Sequence, residues 1–232
     1  EPGALAGVTD LKTRIELAAH IMGLEYPGYS GVWLKAMSTA DVSGVDLSGA
    51  RLAFASMRQA SFNQIKLDGA VLEGADLEGV AGKQAHFANA NLIGAKLGGA
   101  ALGSSTFDGA NLTGAKATGA RFTQTSFVNV NAERANFHHA ELRDCNLEGA
   151  RFSGAELSDA DFHGATLTGA SLDEARLERA SLSRVIARDA KVVGERARDA
   201  RISRSDLEGA DFSGAMLEGA DLRNSNLRRA IL

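Results

Sequence analysis

Residues 150–169 read ARFSG AELSD ADFHG ATLTG, four groups of five that each begin with Ala. The third residue of each group is Phe or Leu, and the fifth is Gly or Asp. A period of five fits neither the 3.6-residue period of a helix nor the two-residue period of a strand. It fits a side of three extended residues followed by a two-residue corner, because the first and third side chains of an extended triplet share one face.

The same register runs from Ala40 to Leu232 without an insertion or a deletion. Of the 39 third positions, 21 are Leu, 9 are Phe, and only Gly82 lacks an apolar side chain; Ala fills 28 of the 39 first positions. Gly occupies the fifth position in 18 of 38 groups, where it relieves the cost of the positive φ that a type II turn requires. The pattern predicts stacked coils with the first and third positions inward, because one group of five buries almost nothing alone.

These groups, here called pentads, resemble the pentapeptide-repeat family. The family's A-(D/N)-L-x-x motif occurs as Ala75-Asp76-Leu77, Ala110-Asn111-Leu112, Ala160-Asp161-Phe162 and Ala210-Asp211-Phe212. The resemblance covers residues 40–232 and implies an all-β solenoid, a right-handed quadrilateral parallel β-helix of about ten coils with four pentads per coil. At about 4.8 Å per coil the rod would be roughly 45 Å long. Residues 20 apart would be vertical neighbours, so Asn91, Asn111 and Asn131 should stack as an outward, structurally supporting ladder.

The two ends of the chain differ from the regular repeat. Residues 1–39 do not carry the register, and Thr9 or Asp10 could cap a helix to about Met22. We expect this segment to be a short helical cap on the solenoid domain of residues 40–232, because an uncapped coil exposes apolar surface and strand edges. A separate partner-binding helix is the alternative.

At the other end the register continues to the last residue. A further segment or another molecule would have to cover the final coil, and the family resemblance implies end-to-end homodimers through the C-terminal coil. The sequence therefore predicts an end or dimer interface formed by Leu222, Leu227, Ile231 and Leu232.

Charge is nearly balanced overall but uneven along the chain. The net charge is −4, from 29 acidic and 25 basic residues, which argues against direct nucleic-acid binding through a basic surface. Residues 101–175 have a net charge of −5 (10 acidic, 5 basic), whereas residues 176–204 have +5 (9 basic, 4 acidic). The second region predicts a basic docking patch for an anionic partner, with ordinary solvated charges as the alternative. Its members are Arg176, Arg179, Arg184, Arg188, Lys191, Arg196, Arg198, Arg201 and Arg204.

No catalytic, cofactor or metal-binding motif is recognisable. P-loop, G-x-S-x-G and H-E-x-x-H patterns are all missing, so we expect no enzyme and no cofactor. His138 and His139 are neighbours at a corner, but a metal site needs three or four converging ligands, and no metal is expected. Cys145 stands in the small inward register, where a buried thiol behaves as a small hydrophobe.

The sequence favours a non-enzymatic scaffold that presents the sides of a rigid rod to a protein partner. One alternative, taken from family members that imitate duplex DNA, is binding to DNA gyrase or topoisomerase IV. The other is a docking or targeting segment of a bacterial secreted effector or secretion accessory protein.

Composition also bears on location. A single cysteine, no recognisable export signal and no apolar run of about 18 residues favour the cytoplasm and exclude a membrane span. The family resemblance supplies the bacterial source, and secretion by a non-classical system is the alternative.

Overall fold

The computed structural model describes residues 38–194 and 196–232. The predicted cap of residues 1–39, including the helix to Met22, therefore lies outside the described residues except for Ser38 and Thr39. The described part of the chain contains no helix and no strand longer than one residue. Its sides pair through isolated bridges instead, because each extended segment is only three residues long.

The chain returns above itself every 20 residues. All bridges are parallel and join residues 20 positions apart, from Asp41 with Ser61 to Asp211 with Ile231. Four pentads thus make one coil, and the second residue of each pentad belongs to one of four outward columns. We name these columns side 1, side 2, side 3 and side 4, which begin with Asp41, Asp46, Arg51 and Ser56 and recur every 20 residues.

Every backbone N–H group of the pentad Ala110–Gly114 has an acceptor. The first N–H closes the preceding corner on the carbonyl of Phe107 at 2.9 Å. The second N–H donates to a carbonyl of the preceding coil at 2.9 Å. The third and fifth N–H groups donate to carbonyls of the following coil at 2.6 and 2.9 Å. The fourth, from Thr113, donates to Oδ1 of Asn111 at 3.0 Å. The Asp or Asn of the motif thus satisfies the one donor that stacking leaves over.

The asparagine ladder lies where the sequence predicts it. Bridges join Asn91 to Asn111 and Asn111 to Asn131. Each Oδ1, however, accepts from the N–H two residues later in its own pentad, at 3.0–3.2 Å. The ladder therefore supports the corners one by one rather than through hydrogen bonds between its own members.

The corners require a left-handed backbone conformation throughout. At the fifth position of every described pentad, φ lies between +54° and +76°, and most of these residues are not glycine. Gly164 has a second reason to be glycine, because a Cβ there would overlap Oδ1 of Asp144, which stands one coil earlier. The same relation joins Asn89 to Gly109, Asn129 to Gly149, Asp189 to Gly209 and Asp199 to Gly219.

The core is one cluster that runs from Val42 to Phe212. Within it, Phe107 stacks on Phe87 at 4.4 Å and on Phe127 at 5.0 Å between ring centroids, while Phe122 meets it edge-on at 5.7 Å. The predicted inward register is therefore confirmed.

Buried hydroxyl groups replace alanine at the first position of some pentads on side 2. Oγ of Ser205 accepts from the N–H of Val185 at 3.2 Å and donates to the carbonyl of Leu182 at 2.8 Å. Those two backbone groups bond directly to each other at most other corners, so the hydroxyl is inserted into the turn. Ser105 likewise accepts from the N–H of Ala85 at 3.1 Å.

Cys145 lies in this same inward column. Its thiol donates to the carbonyl of Phe122 at 3.0 Å, and burial raises the pKa of the thiol to about 12. The expectation of a buried, unreactive thiol agrees with this environment.

Candidate interaction surface

The predicted basic patch is not one continuous surface. Arg201 lies on side 1, Lys191 on side 3 and Arg196 on side 4, and Arg184 and Arg204 occupy the corner that follows side 1. Sides 1 and 3 face in opposite directions on a four-sided coil. A run of 29 residues is longer than one coil, so its charges encircle the rod.

About half of the predicted patch is neutralised within the chain. Four of its residues form ion pairs with carboxylates of an adjacent coil: Arg176 with Glu156 (3.3 Å), Arg179 with Asp159 (2.5 Å), Arg188 with Asp206 (2.6 Å) and Arg198 with Glu218 (2.5 Å). Among the described residues the other five have no ion-pair partner: Arg184, Lys191, Arg196, Arg201 and Arg204. Three of these five are together, on side 1 and its following corner.

Side 1 also carries acidic residues that the sequence interpretation did not single out. Glu141 lies on its outward column three coils from Arg201, and Asp144 lies in the corner column of Arg204. Both carboxylates are exposed, and neither forms an ion pair with a described residue. We call the surface formed by side 1 and its two flanking corners between residues 119 and 224 the side 1 surface.

Other charges of this surface are held by local partners. Nε of Arg143 lies 2.5 Å from Oδ2 of Asp161, and this hydrogen bond raises the pKa of the guanidinium. The hydrogen bond from Arg223 lowers the pKa of Asp221 to about 2. These groups stay charged at neutral pH. Because each already has a partner, the charges available to another molecule are the unpaired ones.

Three metal-ligating side chains converge at the corner between sides 4 and 1. One ligand atom from each of His138, His139 and Asp159 lies within 4.8 Å of the others. The carboxylate of Asp159, however, bonds to Arg179 through both oxygens, and that hydrogen bond lowers the pKa of the carboxyl. Nδ1 of His138 lies 2.9 Å from the carbonyl of Ser158 and donates to it. The sequence interpretation missed Asp159, whose position 20 residues after His139 is the signal that would have found it.

A shallow groove of about 400 Å³ lies beside this cluster. Glu156, Glu178 and Arg176 are among the residues that line it, and Oγ of Ser158 donates to Glu178 at 2.9 Å. Within the groove Glu156 is ion-paired with Arg176 at 3.3 Å, and Glu178 accepts from the Ser158 hydroxyl. The ring of His138 bonds to the carbonyl of Ser158 and not to its hydroxyl, so no histidine stands beside that hydroxyl as a general base.

The predicted end interface lies on the last described coil. Ile231 and Leu232 are 55% and 72% exposed, whereas Leu222 and Leu227 are partly buried against the core. These residues form an apolar cluster, and its role as a dimer interface stays a prediction. Across residues 38–194 and 196–232, no helix is long and apolar enough to cross a membrane.

Comparison with known proteins agrees with this geometry. A family model for pentapeptide repeats matches in eight copies, over residues 40–81, 85–124, 118–154, 145–184, 160–194 and 198–232. The chain belongs to the pentapeptide-repeat family. The predicted family is thereby confirmed, and with it the right-handed quadrilateral β-helix in which such repeats fold. The coil count and the helical cap stay predictions.

Solved structures of other pentapeptide-repeat proteins are similar to this one. HetL, involved in regulation of heterocyst differentiation in the cyanobacterium Nostoc sp. strain PCC 7120, is 28% identical, with 84% of this chain and 86% of HetL covered and a TM-score of 0.58. QnrB1, a plasmid-mediated fluoroquinolone resistance protein, is 20% identical in its full-length form, with 77% and 92% covered and a TM-score of 0.39. No curated protein matches the sequence.

Proposed function

We propose that this pentapeptide-repeat protein is a non-enzymatic scaffold that binds a protein partner through the side 1 surface. The observation that carries the proposal is the distribution of unpaired charge. Stacking and the motif's own side chains satisfy most of the backbone donors, and ion pairs between coils neutralise many outward charges. Exposed Glu141, Asp144, Arg184, Arg201 and Arg204 are left over on one surface.

Several features support a binding role over a catalytic one. No serine, threonine or cysteine side chain of the described residues is hydrogen-bonded to a histidine, and the one cysteine is buried with a raised pKa. Repeat proteins usually act through extended surfaces built from regular faces. HetL, to which this chain is similar along most of its length, is described as taking part in regulation. Charged, complementary surfaces contribute specificity and fast association more than affinity.

DNA mimicry is not carried forward as a second proposal. A mimic of duplex DNA needs a continuous column of negative charge, and the outward columns described above each include basic or neutral residues. Side 1 itself changes sign along its length, from Arg121 through Glu141 and Asp161 to Arg201. Gyrase supercoiling assays with and without a quinolone would test this alternative directly.

Affinity capture from the source cell tests the scaffold proposal. Arg184→Glu/Arg201→Glu/Arg204→Glu reverses the basic part of the side 1 surface. Lys116→Glu/Lys191→Glu/Arg196→Glu is the matched control, because it reverses the same number of exposed charges on sides 3 and 4. We expect a specific bound protein to be lost only with the first variant. Capture of the same proteins by both variants would contradict the proposal.

A further inference from the structure

The charges of the side 1 surface are arranged with an internal antisymmetry. The reference point is the midpoint between Asp161 and Ser181, which are bridged across consecutive coils. Moving away from this point in the two directions along the outward column, Glu141 corresponds to Arg201 and Arg121 corresponds to Asp221. Each acidic position on one side of the midpoint thus has a basic or neutral position at the same distance on the other.

The two flanking corners repeat this relation about the same midpoint. In the corner after side 1, Asp144 corresponds to Arg204 and Gly164 to Arg184. In the corner before side 1, Asp159 corresponds to Arg179, and His139 corresponds to Asp199. No pair of like charges arises in any of these three columns.

We propose that the side 1 surface binds a second copy of this chain in an antiparallel arrangement. The proposal deepens the scaffold function above and rests on it. A two-fold axis that crosses side 1 at the midpoint keeps each column opposite itself and inverts its direction. Two-fold interfaces are self-complementary by construction. Glu141 then faces Arg201 of the second copy, and Asp144 faces Arg204 of the second copy.

Four of the residues that this arrangement sets against an opposite charge have no ion pair in the chain. Glu141, Asp144, Arg201 and Arg204 are all exposed and unpaired within the described residues. The symmetry doubles each contact, so the interface would hold four new ion pairs. Arg184 would lie against Gly164 of the second copy, over which the Asp144 carboxylate of that copy lies, so the arginine again meets an acidic group.

Other registers of the same surface are less favourable. An axis through Asp161 would place Asp161 against itself and Arg121 against Arg201 of the second copy. An axis through Ser181 would place Glu141 against Asp221 of the second copy. A parallel arrangement would set each coil of side 1 against the same coil. Because like charges opposite each other disfavour association, the charge pattern selects the midpoint register.

The interface is small and polar, which sets the expected strength. About six coils overlap, or roughly 29 Å along the rod, and a three-residue side is about 10 Å wide. The contact is therefore roughly 300–400 Å² per copy, below the approximately 800 Å² per partner of stable complexes. We expect reversible association that is favoured by high protein concentration and weakened by salt.

Sedimentation velocity tests the proposal at about 20 mM and about 500 mM salt, where screening differs strongly. The weight-average mass should rise towards twice that of the monomer with concentration in low salt and fall in high salt. Glu141→Arg and Arg201→Glu should each weaken self-association by about five- to thirtyfold, because two facing ion pairs are lost and become like-charged. Lys191→Glu on the opposite side has the same charge change as Arg201→Glu and should leave the association unchanged.

Mixing the two variants gives the sharper result. In a mixed pair Arg at 141 of one chain faces Glu at 201 of the other, and the unmodified Arg201 faces the unmodified Glu141. Association should therefore return on mixing, and also in the variant that carries both substitutions, which excludes misfolding as the cause of its loss. A mass that stays monomeric in low salt, or an association that survives each single substitution, would overturn the proposal. If side 1 reversal still removes a captured protein while no self-association occurs, the scaffold function stands and this inference fails.

Discussion

Phe107 lies at the centre of the aromatic part of the core. It is fully buried and has three ring neighbours, Phe87, Phe122 and Phe127, with centroids 4.4, 5.7 and 5.0 Å away. Two of these rings are stacked and one is edge-on, the geometries that aromatic pairs prefer. The substitution Phe107→Leu keeps an apolar side chain in the column but removes all three ring contacts.

Phe162 provides a matched control for this substitution. It is also fully buried at an inward position, but its one ring neighbour is Phe152, 6.5 Å away and edge-on. Phe→Leu should remove a similar amount of buried apolar surface at the two sites and leave a cavity of similar size. An aromatic pair adds about 0.5–1.5 kcal/mol beyond area. The two additional contacts of Phe107 predict that Phe107→Leu costs about 1–3 kcal/mol more than Phe162→Leu.

Urea unfolding monitored by circular dichroism measures this difference. The midpoint of unfolding should fall further for Phe107→Leu than for Phe162→Leu, while the slope m stays the same in both. Equal losses in the two variants would refute the reasoning, because ring geometry would then contribute nothing beyond burial. A change in m would show that the two substitutions unfold different lengths of the solenoid.

Two further outcomes test the inward column on side 2. Ser205→Ala should lower the free energy of unfolding by about 1–3 kcal/mol in the same urea assay, because it removes the hydroxyl between the N–H of Val185 and the carbonyl of Leu182; Ser203→Ala should change it by less than about 0.5 kcal/mol, and equal losses would contradict the assignment. Cys145, with a thiol pKa of about 12, should resist a thiol-specific disulfide reagent at pH 8 in the folded state and react in urea, where a free thiol has a pKa of about 8.5. Rapid labelling of the folded protein would show that the thiol is accessible.

The fold could be predicted from the sequence because its decisive contacts are local and repeated. The inward positions follow from a period of five, and the core from Val42 to Phe212 has that register. The exception, Gly82, also has a structural reason, since a Cβ there would overlap the backbone of Phe62. The pattern does not reveal that the Ser205 hydroxyl is inserted into the turn between Leu182 and Val185. In the sequence, Ser205 is only another small residue in a column of alanines.

The candidate surface was less predictable, since it depends on residues one or more coils apart. The basic run of residues 176–204 is continuous in sequence but is divided among the sides and partly neutralised, for example by the pair of Arg179 with Asp159. Local charge counting cannot detect this pairing. Reading the outward positions at a spacing of 20 does place Glu141 and Arg201 in one column, but which charges remain unpaired depends on side-chain geometry.

The structural role of each position in the pentad explains why function should lie on the outward residues. Inward residues are fixed by packing, fifth positions by positive φ, and Asp or Asn at the second position by the leftover N–H of the corner. Where the second residue does not make that bond, as at Glu141 and Arg201, the fold leaves the side chain without an ion-pair partner among the described residues. Exposed single charges contribute little to stability. Their opposite signs about one midpoint would therefore be unnecessary for folding, and a second rod is a partner that this pattern fits.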